Sequence, residues 1–289
     1  MPTSLRWAEN SHRIQGAAGV GGENDILQEN VSLSVVILLI CSGIFVGVVN
    51  TFAGAAAVVS ISVYTALGLP IEVANGTNRL PVLFQVGAAA FNFRKQRLLD
   101  YSVGLRLGIP TALGAVAGAE FAAWVDPSVF VVLLATILIL LLTLLLFSPN
   151  RILQGNGKAL RRVHRLDYLW FFLVGIYGGA FQIGMGYVIL GLTIMGMGYD
   201  VITANALKSF IVMLYIPLTL AVYMVHGQVA YGYGLVHAVG NVIGAYVASK
   251  YATRIDTRLL RWLLILFIAL TVLDLFRIIS IRDALEHIL

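Results

Sequence analysis

Two short polar clusters, each with a single basic residue, interrupt an otherwise apolar chain. Their members are Asn75, Thr77, Asn78 and Arg79 in the first, and Asn205, Lys208 and Ser209 in the second. Such a group can bind an anion, because the cation offsets its charge while amides and hydroxyls donate hydrogen bonds to its oxygens. Both clusters open predicted helices, where free N–H groups and the helix dipole also favour an anion. The sequence leaves one alternative, in which Arg79 and Lys208 extend from helix ends to lipid headgroups.

The clusters belong to a duplication that covers most of the chain. Ala74 pairs with Ala204, and the same offset of 130 positions relates several further pairs: Asn75 and Asn205, Tyr101 and Tyr231, Gly104 and Gly234, Gly114 and Gly244, Asp126 and Asp256. A matching stretch precedes each cluster, G-I-F-V-G-V-V-N-T-F-A-G at 43–54 and G-I-Y-G-G-A-F-Q-I-G-M-G at 175–186. A repeated hydrophobic unit broken by glycine is typical of the two halves of a membrane transporter.

Composition places the chain in a bilayer. Of its 289 residues, 59% are hydrophobic and 11% are charged, and the mean hydropathy is +0.90. Soluble domains carry about 25% charged residues, and several apolar runs here are long enough to cross ~30 Å of hydrocarbon. The net charge of +5 does not indicate nucleic acid, because the basic residues lie in short connections, as cytoplasmic loops require.

We therefore predict an all-α polytopic membrane protein built from two repeats of five segments. The predicted segments are 33–49, 52–68, 79–93, 101–123 and 128–147 in the first repeat, and 168–181, 185–198, 205–225, 231–250 and 258–280 in the second. A polar tail (1–30) precedes the first repeat (31–147), and a basic linker (148–167) precedes the second (168–289).

The basic linker sets the predicted orientation. Placing it in the cytoplasm puts the other basic connections there too, provided that each repeat crosses the membrane an odd number of times. Two repeats that each cross an odd number of times are inverted relative to each other in the membrane. Both termini of the chain then lie on the outer face. The count holds whether the first two segments of each repeat cross fully or form a re-entrant hairpin.

Those first two segments are short and broken by glycine. Open backbone at membrane depth survives where it lines a cavity or is buried in protein, so paired breaks point to a binding site. We predict that the substrate path is lined by residues at the two breaks: Asn50, Thr51 and Gly54 in the first repeat, and Gln182 and Gly186 in the second. The glycine pairs Gly43/Gly47 and Gly175/Gly179 also fit close helix packing through small residues.

Other polar residues in the spans have less specific readings. His237 and Glu120 are candidates for proton coupling, although His237 also fits a role in helix packing. We predict no enzyme, because the chain has no His-Glu-x-x-His, no Gly-x-Ser-x-Gly and no intramembrane pair of aspartates. We also predict no metal site and no cofactor.

The duplicated pattern of Gly-x-x-x-Gly, a glycine-containing break, Gly68-Leu69-Pro70 and Ala74-Asn75-Gly76-Thr77-Asn78 resembles the TauE/SafE sulfite exporter (TSUP) family over about 31–280. The resemblance implies a plasma-membrane secondary transporter that moves sulfite, sulfoacetate, another organosulfonate or thiosulfate by alternating access, with proton coupling. Its partners would be the small anion and the lipid bilayer. A homodimer is a further possibility. The alternatives are a carrier for a small carboxylate or an anion channel.

Overall fold

The computed structural model describes residues 32–52, 56–147 and 162–251, and also residues 262, 265–266 and 268–273. The predicted tail (1–30), Gly54, most of the basic linker and most of the last predicted segment lie outside the described residues.

Every regular element among the described residues is helical, which confirms the predicted fold class. The helices are α1 (Leu33–Phe52), α2 (Ala57–Ala66), α3 (Ile71–Thr77), α4 (Arg79–Lys95), α5 (Tyr101–Trp124), α6 (Pro127–Phe147), α7 (Arg165–Ala180), α8 (Met185–Leu190) with a π-helical continuation (Gly191–Gly196), α9 (Val201–Val225) and α10 (Tyr231–Lys250). The first nine predicted segments each correspond to one of these helices.

The helix starts depart from the prediction at one informative place. The third segment of the second repeat begins at Val201 rather than at 205, because Asp200 caps it by accepting hydrogen bonds from the N–H groups of Ile202 (3.0 Å) and Thr203 (2.9 Å). Burial raises the pKa of Asp200, but these hydrogen bonds lower it by more, so the net direction is downward. Asp200 is therefore a capping acid.

In the described part of the chain, three helices are long and apolar enough to cross a membrane: Leu33–Thr51, Tyr101–Trp124 and Val201–Val225. Shorter apolar helices flank them at Ala57–Ala66, Pro127–Thr143 and Met185–Gly196. Large apolar side chains also cover outward faces. On α5, Leu105, Ile109 and Leu113 recur every fourth residue and are all exposed. Such a stripe faces hydrocarbon rather than water.

The opposite face of α5 packs on α7 through glycines. A methyl group added at Gly118 would lie 1.9 Å from the carbonyl oxygen of Ile176, and one at Gly179 would lie 1.9 Å from that of Ala115. These distances permit no side chain, so the two backbones are in direct contact. Without a hydrophobic force between helices in lipid, such close approach supplies much of the attraction.

The helices α1 and α10 repeat this arrangement. A methyl group at Gly47 would lie 2.3 Å from the carbonyl oxygen of Asn241, and one at Gly244 would lie 2.1 Å from that of Ile44. The packing interpretation of the paired glycines is thus confirmed. Each contact also joins a helix of one predicted repeat to a helix of the other, so the two halves interlock.

The ends of α4 and α9 are matched turns with one difference in sequence. After α4, Leu98 N–H donates to Phe93 O (3.1 Å) and Arg97 has φ +57°; after α9, Gln228 N–H donates to Tyr223 O (2.9 Å) and Gly227 has φ +67°. Both are left-handed helix terminators of the type that usually carries glycine. The first turn instead places arginine in a backbone conformation that suits glycine.

Replacing Arg97 by glycine should therefore stabilise the protein by about 1 kcal/mol, because it relieves left-handed strain that outweighs the added chain entropy. Thermal unfolding in detergent would measure the change. Arg94→Gly, inside α4, is the control and should destabilise instead. An equal loss of stability in both variants would contradict the strain argument.

Candidate functional site

The end of α1 is held by a lysine from the other half of the chain. The Lys208 ammonium, on α9, donates to the carbonyl oxygens of Asn50 (3.0 Å) and Thr51 (2.8 Å) and to Oδ1 of Asn205 (2.8 Å). Because an ammonium has three N–H donors, all of them are used. The last carbonyls of a helix lack partners within it and carry the negative end of its dipole. Lys208 satisfies both needs.

The end of α7 is held in the same way by an arginine from the first half. The Arg79 guanidinium donates to the carbonyl oxygens of Gly178 (2.7 Å), Gly179 (2.8 Å) and Ala180 (3.3 Å). Asn75 reinforces this end by donating to Ala180 O (2.9 Å). Arg79 is fully buried, so its charge is matched by carbonyl dipoles rather than by water.

We call these two sets of contacts the Lys208 clamp and the Arg79 clamp, and they are reciprocal. Each broken helix of one half ends on a cation supplied by the other half, and neither cation pairs with a carboxylate among the described residues. A charge at bilayer depth costs at least ~2.5–3.5 kcal/mol. The helix ends offset part of this cost, which explains why each half carries one such charge.

The expectation that these cations lie beside free helix starts is wrong. Lys208 lies two turns inside α9. Arg79 opens α4, but helical bonding continues into it from α3, because Asn78 N–H donates to Ala74 O (3.1 Å) and Val82 N–H to Asn78 O (3.4 Å). Both cations therefore face helix C-termini, not N–H groups.

A cavity of about 40 Å³ lies between the two halves, beside the Lys208 clamp. Its lining comprises Asn50, Thr51, Ala57, Val82, Gln85, Val86, Ala89, Gln182, Met185, Gly186, Lys208, Ser209, Val212 and Tyr215. The structure thus brings six of the predicted residues to one place, namely Asn50, Thr51, Gln182, Gly186, Lys208 and Ser209. Within the described part of this lining, Lys208 is the one basic residue and no acidic residue occurs.

Two glutamines supply the cavity's spare donors. Gln85 accepts hydrogen bonds from Asn50 (3.4 Å) and Asn241 (3.2 Å), and Gln182 accepts one from Asn78 (3.3 Å). Their amide oxygens are thereby committed. Neither amide nitrogen donates to another described residue, so their N–H groups are the ones available to a bound molecule.

Three hydroxyl side chains also belong to the lining, and that of Thr51 donates to the carbonyl oxygen of Gly47 (2.8 Å). Tyr215 donates to the thioether sulfur of Met185 (2.8 Å), and Ser209 donates to the carbonyl oxygen of Asn205 (2.9 Å). A thioether is a weak acceptor, so the Tyr215 hydroxyl can be redirected to a ligand oxygen at little cost.

The other predicted residues that the structure describes do not line the cavity and bind neighbouring elements instead. Asn75, Arg79 and Asn205 serve the two clamps. Thr77 accepts a hydrogen bond from the N–H of Ala230 (2.8 Å), and Asn78 donates to Gln182.

Neither candidate for proton coupling lines the cavity. His237 is buried on α10, with Nδ1 2.7 Å from the Tyr64 hydroxyl. Glu120 lies near the end of α5 at the surface, 3.1 Å from Nε2 of His226. No group of three or more metal-ligating side chains occurs within the described part of the chain.

Gln85 is a polar residue of the cavity lining that sequence reasoning missed. The repeat contained the signal, because the offset of 130 that pairs Asn75 with Asn205 also pairs Gln85 with Tyr215 and Val82 with Val212. Gln85, Tyr215, Val82 and Val212 all line the cavity.

The Arg79 clamp is testable by replacement with methionine, which keeps a flexible apolar stem but removes the charge and the donors. We expect a loss of about 3 kcal/mol or more, because three buried carbonyl oxygens lose a charged hydrogen-bond donor. Thermal unfolding would measure it, and Arg106→Met, at an exposed position on α5, is the control. Equal effects of the two changes would contradict the clamp.

Comparison with known proteins identifies a matching family and several similar proteins. The family described as "Sulfite exporter TauE/SafE" matches residues 39–275. The chain is 26% identical over 241 residues to "Probable membrane transporter protein ORF9" of Sinorhizobium sp, covering 82% of this chain and 91% of that protein. It is 23% identical over 226 residues to a "Probable membrane transporter protein" of Haemophilus influenzae, covering 76% and 86%.

A third relative, "Probable membrane transporter protein YunE" of Bacillus subtilis, is 26% identical over 214 residues, covering 68% of this chain and 78% of that protein. No solved structure matches. The family match spans both halves, both clamps and the cavity between them, and the chain is a membrane transporter of the TauE/SafE family.

Proposed function

We propose that this protein is a secondary transporter for small sulfur-containing anions in the plasma membrane, with the cavity between its halves as the substrate site. One observation carries the proposal: a buried ammonium, which has no carboxylate partner among the described residues, lines a cavity whose spare hydrogen-bond donors come from both halves.

The charge of the lining favours an anion over a cation or a neutral molecule. Lys208 uses its N–H groups on carbonyls, but those dipoles do not cancel its full charge, and its field is strong where water is scarce. The amide nitrogens of Gln85 and Gln182 would then bind the anion's oxygens, since charge-assisted hydrogen bonds are the stronger kind.

The volume of the cavity favours a compact anion. About 40 Å³ holds roughly three water-sized spheres. That space suits an inorganic oxyanion such as sulfite better than a longer organosulfonate such as sulfoacetate.

The location of the cavity favours a carrier. Its walls come from both halves, so movement of one half against the other would open it to alternate sides, as in carriers built from inverted repeats. In this proposal both termini lie on the outer face, and His237 and Glu120 remain the candidates for proton coupling. An anion channel is the rival, and saturable counterflow in proteoliposomes would separate the two.

The glutamine donors provide the sharpest test. Gln85→Leu and Gln182→Leu should each reduce sulfite uptake into proteoliposomes about tenfold or more, because each removes a hydrogen bond to a charged ligand. The loss should appear in KM. Unfolding temperatures measured in parallel would show that the variants remain folded.

Gln96→Leu is the matched control. Gln96 is exposed and donates to Ser249 O (3.2 Å), away from the cavity, so its replacement should leave uptake unchanged. If both cavity variants took up sulfite as wild type does, the two glutamine amides would not be part of the substrate site.

A further inference from the structure

Three oxygen atoms converge on the Lys208 ammonium. Thr51 O and Asn205 Oδ1 lie at 2.8 Å and Asn50 O lies at 3.0 Å. Two of them are carbonyls at the broken end of α1, and the third comes from α9. A cluster of carbonyl and amide oxygens around one positive charge is also how proteins bind a monovalent metal ion.

Carriers with broken helices use such oxygens for a coupling cation. Unwound carbonyls and helix C-termini coordinate the ion there. In this protein the same kind of place is filled by a side chain. Lys208 is 4% exposed, and its ammonium is comparable in size and charge to NH₄⁺ or K⁺.

The second clamp differs in shape. Arg79 spreads its planar guanidinium over the carbonyls of Gly178, Gly179 and Ala180 and over Oδ1 of Asn75. A spherical ion cannot reproduce a planar fork that reaches four oxygens. A free monovalent ion should therefore be able to replace the Lys208 ammonium but not the Arg79 guanidinium.

We infer that the oxygens of Asn50, Thr51 and Asn205 form a monovalent-cation site that Lys208 occupies from within the chain. Removing the side chain exposes this site to K⁺ or NH₄⁺, which then hold the end of α1 as the ammonium does. The site itself stands independently of transport. Its consequence rests on the proposed function: anion flux by the wild-type carrier needs no external Na⁺ or K⁺.

The test compares the full-length wild type with Lys208→Ala by thermal unfolding in detergent. Chloride salts of N-methylglucamine, K⁺ and NH₄⁺ are used at equal ionic strength. We expect Lys208→Ala to unfold at a lower temperature in N-methylglucamine. K⁺ and NH₄⁺ should raise that temperature saturably, by about 3 °C at ten times Kd, whereas wild type should not respond.

Two further variants make the result specific. Lys208→Ala combined with Asn205→Ala removes one of the three oxygens and should weaken the response. Arg79→Ala should be destabilised without any response to K⁺ or NH₄⁺. Equal responses in wild type or in Arg79→Ala would indicate a general salt effect and overturn the inference, as would no response in Lys208→Ala.

A folding failure is also informative. If Lys208→Ala is recovered folded only in K⁺ or NH₄⁺, the inference is supported. If neither it nor Lys208→Ser is recovered in any of the salts, the inference is wrong. Because the readout is stability, absence of wild-type sulfite uptake would reject the proposed function and leave the cation site intact.

Discussion

The structure depends on two positive charges that end helices belonging to the other half of the chain. A helix that stops inside a membrane leaves carbonyl groups without partners, and water is not there to satisfy them. Lys208 supplies the missing donors for α1, and Arg79 supplies them for α7. Both problems, a buried charge and an open helix end, are solved by the same contacts.

The surrounding packing makes these contacts possible. Gly118 and Gly179 bring α5 against α7, and Gly47 and Gly244 bring α1 against α10, at distances that exclude any side chain. This packing holds the broken helix ends in position beside the two cations. What remains between the halves is a small space with one lysine and two glutamine amides turned toward it.

Much of this organisation was predictable, because hydrophobic length and glycine breaks are local properties. The first nine predicted spans are helices, and the breaks at Asn50 and Gln182 do reach the cavity. The direction of the cations was not predictable, since the sequence places Lys208 near a helix start but cannot show that its partner is a carbonyl 157 residues away. Gln85 escaped notice because one amide in an apolar helix reads as packing until its repeat partner, Tyr215, is located in the same wall.

The exchange of clamps has a consequence for synthesis. Chains enter the membrane from the N-terminus, so α1 is made long before Lys208, which follows Asn50 by 158 residues. During that interval the carbonyl groups at the end of α1 lack the donor that they have in the final structure. Water, lipid headgroups or the insertion machinery must supply hydrogen bonds to them. This period ends when α9 is complete and Lys208 can bind the end of α1. The first half therefore reaches its final structure only after part of the second half has been made.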